Sequence, residues 1–335
     1  MDSKGCIEKI LKHRHIDHED FSNMDFSGLD FRGVVFSGVA MTGARFQDTQ
    51  LQGAVFDDCN ASHAVFSSAS LGQASMTRTN LTGASLKNCN AAFSVFQATN
   101  CTRADFGHAC LDRALFQSCR LHQTVFRHTR LFRTSLMDTD CTTTIFDGAH
   151  LEMALLGNSN LTGCSFPGCD LKKAMFIGAQ MDGVNLSKLD ITQCNFSGAC
   201  LTKANLKQAL GRYVIFMGAN LSGAKLKKSR FTSANFNQAN LIRCDFRKAG
   251  LEESQFCDAR LDQARFGRSV LDYADFSRSR VNDTDFSRAR LHRANMHRVN
   301  RSAAIWTGAD LSTVQTTDVD LAAAETWQPK SGHGV

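Results

Sequence analysis

The chain has 335 residues, 43% of them hydrophobic, and 38 Lys and Arg against 32 Asp and Glu give it a formal charge of +6. No apolar run of about 18 residues occurs, so no membrane-spanning helix is expected. The first fifteen residues lack the apolar stretch of a secretory signal, and thirteen cysteines without one point to a reducing compartment rather than a disulfide framework.

Residues 1–19 fall outside any repeat. Ile7, Ile10 and Leu11 have the i, i+3, i+4 spacing of an amphipathic helix in a stretch without proline. A short helical cap is expected here, because the end of a stack of strands needs a lid. His13, His15 and His18 lie beside it without the Cys or Glu spacing of a zinc site, so they read as solvated.

From Asp20 to Ala324 the chain divides into fives without insertion: DFSNM, DFSGL, DFRGV, VFSGV. The second residue of each five is its centre, at 21, 26, 31 and every fifth residue to 321. Of these 61 centres, 54 are Leu, Phe, Met, Ile, Val or Trp; the others are Ala61, Ala91, Cys101, Cys141, Gly211, Arg301 and Thr316. The fifth residue of each five, from 24 to 324 and two before the next centre, is Ala, Cys, Ser, Thr or Val, except at Met24, Leu29 and Leu189. A period of five matches neither the 3.6 of a helix nor the 2 of a strand. A chain that turns a corner every five residues accounts for it, with one large and one small side chain inward and three outward. Centres ending in 6 are Phe at 20 of 30 positions, and centres ending in 1 are Leu at 18 of 31. Four sides per coil follow, with stacked Phe on two opposite sides and stacked Leu on the other two.

These units resemble the pentapeptide-repeat family, whose units read A-(D/N)-L-x-x. Ala204-Asn205-Leu206, Ala219-Asn220-Leu221 and Ala239-Asn240-Leu241 fit it; Ala84-Ser85-Leu86 and Ala199-Cys200-Leu201 depart at the middle position. The resemblance covers residues 20–324 and implies an all-β fold, a right-handed quadrilateral β-helix with four pentads per coil. At an inter-strand spacing of about 4.8 Å, 61 pentads make a solenoid of about 15 coils, roughly 70 Å long. The expected organisation is a cap at 1–19, the β-helix at 20–324 and a tail at 325–335.

Toward the C-terminus, Arg301 and Thr316 occupy centres and Trp306 fills another, so the last coils should pack less well. The tail holds Trp327, Pro329, Gly332 and Gly334, and is either a frayed end or a peptide that a partner holds.

No catalytic chemistry is legible. Cys59, Cys89, Cys119, Cys164, Cys169, Cys194 and Cys244 sit in the small inward column, and Cys101 and Cys141 at centres. No two of them are one 20-residue coil apart, so they read as buried filler, not as a ladder of ligands. Asp57-Asp58 and Glu252-Glu253 are carboxylate pairs, but the flat outside of a rod offers no apolar pocket to shift them. No nucleophile elbow, phosphate loop or dinucleotide glycine motif occurs. No catalytic residue, metal, cofactor or small-molecule substrate is expected.

The surface is more informative. Residues 1–180 carry 16 Lys and Arg against 17 Asp and Glu, and residues 181–335 carry 22 against 15. One side of the second half gathers Lys188, Lys207, Lys225, Lys227, Lys228, Arg247, Lys248, Arg265, Arg268 and Arg288, opposed only by Asp245 and Asp285. This basic stripe is either a solvated face or a binding face for an acidic partner, phosphate or membrane surface. The opposite side is apolar: Val35, Val55, Val95, Leu115, Leu155, Met175, Ile177, Ile215 and Met217, with Met137 among them. Strand propensity explains part of it, and a protein–protein or self-association face explains the rest. A third column holds Phe93, Met153, Tyr213 and Tyr273, with Phe132 beside it and Arg113, Arg133 and Lys173 flanking. It reads either as interface anchors or as chance placement.

The function expected is a non-enzymatic protein–protein interaction scaffold with a protein partner or a second copy as a homodimer. It is a bacterial cytoplasmic protein, or an effector that a secretion system delivers into a host cell, as the resemblance implies for some members. The alternative is binding of nucleic acid or an anionic membrane along the basic stripe. A third reading, implied by the resemblance alone, is DNA mimicry that protects a topoisomerase.

Overall fold

Most pentads turn their corner by one local device. The carbonyl of the centre accepts from the N–H three residues on, as in Met24 N–H to Phe21 O at 3.1 Å, and the residue between them adopts a left-handed backbone, as at Asn23 with φ 61. This is the geometry of a type II turn, which favours glycine. Many of these corners are nonetheless built from Lys, Arg, Gln or aromatic residues. Where the residue ahead of the centre is Asp or Asn, its side chain accepts from the N–H two residues on. Examples are Asp20 from Ser22 at 2.9 Å, Asn80 from Thr82 at 3.1 Å and Asp285 from Ser287 at 2.9 Å. This Asx turn is the physical reason for the acidic or amide residue in the repeat unit.

A computed structural model describes residues 10 and 12–327. Four corners return the chain to its starting side, one step up the stack. Strands β1 (His15–Asp17), β2 (Val35–Ser37), β3 (Val55–Asp57), β4 (Ser75–Thr77), β5 (Val95–Gln97) and β6 (Leu115–Gln117) form one parallel sheet in sequence order. Its register sets Ile16 on Phe36 and Phe36 on Phe56. Single parallel bridges continue the same 20-residue register on the other sides and along the chain, from Asp20↔Ala40 to Asn295↔Gln315. Parallel strands require long crossovers, and here the other three sides of the coil supply them. The result is an all-parallel β-solenoid.

The core lies along the axis. Phe106, Phe126 and Phe146 stack with centroids 5.3 and 5.7 Å apart, and on the opposite side Phe236, Phe256 and Phe276 stack at 4.9 and 4.7 Å. Between the two sides the rings meet edge to face, Phe256 and Phe266 at 5.8 Å and 90°. Both geometries suit the aromatic quadrupole. The small inward column does more than fill space. Thr129 donates to the Phe106 carbonyl at 2.7 Å, Ser254 to Phe231 at 2.7 Å and Cys244 to Leu221 at 3.0 Å. Each reaches the centre one coil back, so these buried hydroxyls and thiols are satisfied. Gly211 looks like a defect among the Leu centres, but its missing side chain is replaced from above. A Cβ there would come within 2.7 Å of the Phe231 ring.

Both ends differ from the sequence expectation. β1 lies within the segment read as cap, and Ile16 is buried like a centre. Ile10 and Lys12–His13 are helical and Ile10 is buried, whereas Ile7 and Leu11 lie outside the described residues. At the other end a 3-10 turn at Arg301–Ala303 replaces the corner that Arg301 would have centred. A helix, α1 (Val319–Thr326), stands where the last pentads were expected. Asp318 caps it by accepting from Leu321 N–H at 3.0 Å, and the run of alanines favours helix. Glu325 ties it to the rod through Arg278 at 2.9 Å and Arg298 at 2.8 Å. No described residue from 300 onward is buried, although Trp306 continues the ring stack on Phe286 at 4.5 Å. Pro329, Gly332 and Gly334 lie outside the described residues.

Two stability outcomes follow. Phe126→Ala should cost about 3–5 kcal/mol through lost transfer energy and a residual cavity, and Arg127→Ala, outward on the same pentad, under about 0.5 kcal/mol. Gly211→Leu should cost about 1–3 kcal/mol by overpacking, and Phe231→Leu on the same chain should relieve most of it. Equal denaturation midpoints for the first pair, or additive effects in the second, would contradict this packing.

Candidate interaction surfaces

Outward side chains occupy three positions per pentad: before the centre, after it, and at the left-handed corner. The structure places the basic stripe on one face. Lys188, Lys228, Lys248, Arg268 and Arg288 are corner residues with φ between 57 and 62. Lys207, Lys227 and Arg247 follow centres, and Lys225 and Arg265 precede them. Lys227, Arg247, Lys248, Arg268 and Arg288 converge with Gly267 and Ser287 around a depression of about 350 Å³. Lys188 lines a separate one beside Pro167 and Gly168, and Lys207, Lys225 and Arg265 lie outside both.

Charge pairing sets this face apart. On other faces arginines bridge to carboxylates about one coil away: Arg278 to Asp258 at 3.0 Å, Arg280 to Asp262 at 2.8 Å and Arg290 to Asp272 at 2.7 Å; on the stripe's own side such a pair occurs only in earlier coils, as Arg127 to Asp147 at 3.4 Å. Among the described residues Arg247 of the stripe has an ion-pair partner, Asp245 at 2.7 Å, and the other nine stripe cations have none. The Asp245 carboxyl is held below its usual range by its hydrogen bonds with Arg247, against the opposing effect of its own desolvation. Sequence reasoning grouped these cations but gave no sign that their neighbours elsewhere are neutralised.

The apolar face is not uniform. Val35, Val55, Val95, Leu115, Leu155 and Ile215 are only half-exposed, each set beside its neighbour one coil away. Exposure concentrates at Met137, Met175, Ile177 and Met217, which are 37–45% exposed. Met137, Leu155, Met175 and Ile177 enclose a shallow apolar depression of about 150 Å³ floored by Gly157.

The aromatic column is also exposed, but its rings are partnered. Arg113 lies over the Phe93 ring at 5.3 Å, Arg133 over Phe132 at 5.3 Å and Arg212 over Tyr213 at 4.7 Å. Tyr273 meets His292 edge to face at 5.6 Å. Met153 is half-buried, and Lys173 pairs with Glu152 at 3.7 Å rather than flanking a ring. The sequence places Arg113 and Arg133 beside this column, but not Arg212, which lies over its own neighbour Tyr213.

A polar depression of about 220 Å³ escaped the sequence reading altogether. Cys119, Arg120, His122, Asp140 and Thr143 line it, and the His122 Nδ1 lies 3.0 Å from the Thr143 hydroxyl. It opens where the ladder skips the Arg120–Asp140 bridge. Its one nucleophile is disarmed: Cys119 donates to the Phe96 carbonyl at 3.1 Å, and burial pushes its thiol up to about 11.

The same holds along the core. Desolvation raises Cys59 and Cys141 to about 11, Cys89, Cys164 and Cys169 to about 12, and Cys101, Cys194 and Cys244 upward as well. Among the described residues no group of three His, Cys, Asp or Glu is placed to hold a metal ion. His15 pairs with Asp17 at 2.9 Å, and Asp57 with Arg78 at 2.6 Å, so both act locally on the surface.

These thiols set a pH dependence. Each is easier to ionise in the unfolded chain, near the ordinary value of 9.0, than in the fold. Stability is therefore fully present below about pH 9 and falls between there and about 11–12, by about 1.4 kcal/mol per pH unit for each thiol titrating only when unfolded. Denaturant midpoints measured from pH 7 to 10.5 should be flat to about 9 and then drop. A flat curve throughout would show that the thiols are not buried as described.

The family described as "Pentapeptide repeats (8 copies)" matches overlapping stretches that run from residue 20 to residue 300. Among solved structures, full-length QnrB1, a plasmid-mediated fluoroquinolone resistance protein, is 18% identical at a TM-score of 0.45, covering 57% of this chain and 96% of its own. HetL, a pentapeptide repeat protein involved in heterocyst differentiation regulation in Nostoc sp. strain PCC 7120, is 19% identical at a TM-score of 0.19, covering 94% of each chain. A pentapeptide repeat protein of the Arabidopsis thaliana thylakoid lumen is 31% identical at a TM-score of 0.23, covering 27% of this chain and 67% of its own. None of these likenesses says what this chain binds. A search of the curated proteins returns no match.

Proposed function

The chain belongs to the pentapeptide-repeat family, and on that premise we propose that it is a non-enzymatic interaction scaffold that holds a protein partner, or a second copy, against a flat face of a rod of about 15 coils. The observation that carries this reading is the exposed apolar patch of Met137, Met175 and Ile177, with Met217 two coils beyond Ile177 across Ser197. On a soluble rod, contiguous apolar surface of this kind marks a contact site, and methionines adapt to more than one partner shape. The rigid parallel stack beneath lets such a face form without ordering cost. Buried thiols used as filler suit a reducing compartment. The reading therefore covers an adaptor in the bacterial cytoplasm or an effector delivered into a host cell.

A second reading is favoured by a separate observation, the nine unpaired cations of the stripe. They would hold an anionic surface, membrane or nucleic acid, with strong salt dependence. DNA mimicry ranks below both, because the carboxylates of the basic half are engaged in Asx turns and ion pairs, as at Asp258, Asp262, Asp272 and Asp285.

Changing Met175, Ile177 and Met217 together to Lys should leave the melting curve nearly unchanged, since all three point outward, while abolishing self-association or partner capture. The check is light-scattering mass beside pull-down. An unchanged mass with every captured partner retained would remove the scaffold reading from this face.

A further inference from the structure

In two coils of the stripe the repeat's own chemistry is left incomplete. On this face Asp245 accepts from the Arg247 N–H at 3.2 Å and Asp285 from the Ser287 N–H at 2.9 Å. In the coil between them the equivalent residue is Arg265, which has no acceptor atom to offer. Among the described residues the Gly267 N–H consequently has no acceptor. The same exchange at Lys225 leaves the Lys227 N–H open.

Gly267 is also where the surface dips. With no side chain it floors the depression of about 350 Å³ rimmed by Lys227, Arg247, Lys248, Arg268 and Arg288. Its backbone is not left-handed, and an added Cβ would meet only ordinary contacts, the nearest at 3.7 Å. Glycine is therefore not required here by the fold. Four of the five rim cations lack an acidic partner.

We propose that this depression binds a compact cluster of phosphomonoester groups, as carried by an inositol polyphosphate or the phosphorylated headgroup of an inositol lipid. One phosphate oxygen takes on the Gly267 N–H the place that an aspartate oxygen holds in the coils on either side. The proposal rests on the reading of the stripe as an anion-binding face and narrows it to one site. Arg268 and Arg288 offer free forked donors that match phosphate oxygens, whereas Arg247 already holds Asp245 with its own fork, and a monoester carries about −1.5 to −2 at neutral pH. The cations converge on one point about three coil steps long, roughly 14 Å. That suits a compact polyanion better than a duplex, whose charge is spread at about one per 1.7 Å of axis.

The test is calorimetric titration of the full chain with myo-inositol hexakisphosphate at about 50 and 200 mM salt, the range in which counterion release is large. Arg268→Glu should weaken binding at least about tenfold, and Arg103→Glu, on another face, should leave it within about twofold. Arg265→Asn and Arg265→Gln remove the same charge, but only Asn reproduces the cap used throughout the repeat. The Asn variant should bind about tenfold more weakly than the Gln variant, because it occupies the Gly267 N–H. Phosphatidylcholine vesicles doped with phosphatidylinositol bisphosphate identify the source. Binding with the same variant ranking assigns a lipid headgroup, and binding of the soluble probe alone assigns a free ligand; either supports the site. Equal affinities for Arg268→Glu and wild type, no difference between the two Arg265 variants, or displacement of the probe by duplex DNA at lower phosphate concentration would overturn it. Salt-sensitive binding to phosphatidylserine vesicles under those failures would leave the stripe reading standing without the site. Its loss as well would sink both.

Discussion

In a parallel stack with a fixed 20-residue coil, every residue has residues 20 before and 20 after it as its nearest cross-strand neighbours. The rest of the structure follows from that constraint. Indoors it rewards sameness: Phe on Phe makes a ring column, and most Thr and Cys of the small column find the same carbonyl one coil back. Outdoors it penalises sameness, because like charges on neighbouring strands repel. Over much of the surface the chain respects this, with arginines of one coil answered by carboxylates of the next. At Lys228, Lys248, Arg268 and Arg288 it does not. Four cations in consecutive coils about 4.8 Å apart oppose folding, and a sequence that keeps such a conflict marks a site where something other than stability is selected.

The fold was legible because the constraint writes itself into the sequence with every pentad. Phe126 and Arg127 are adjacent in the chain, yet one is buried and the other exposed, as the five-residue period requires. The helix α1 was not legible, because Leu321 and Ala324 still fit the pentad columns while Asp318 and the alanine run decide locally for helix. The candidate surfaces were legible as columns but not as sites. Periodicity says that Arg268 and Arg288 share a face, but not that Asp258 and Asp272 neutralise arginines on others. Nor does it say that Arg212 lies over its own neighbour Tyr213.

Closing the interior has a consequence for chemistry. The groups best suited to nucleophilic work, the thiols of the core, are spent on packing and driven away from ionisation by desolvation. The outward positions are held by a backbone whose conformation hardly depends on them, since even the strained corner accepts Lys, Arg or Tyr in place of Gly. One face can therefore change its partner without disturbing another. The apolar cluster at Met137–Met217 and the cationic depression at Gly267 lie on opposite sides of one rod, and the two readings are compatible in one molecule.

A substitution scan scored in parallel for soluble abundance and for partner capture tests this division of labour most directly. Abundance should fall at every centre and at the residue two before it, with a period of five from Ile16 to Met296. Loss of capture at normal abundance should recur with a period of twenty, confined to one or two faces. Capture-specific losses at inward positions, or spread evenly over all four sides, would contradict the account.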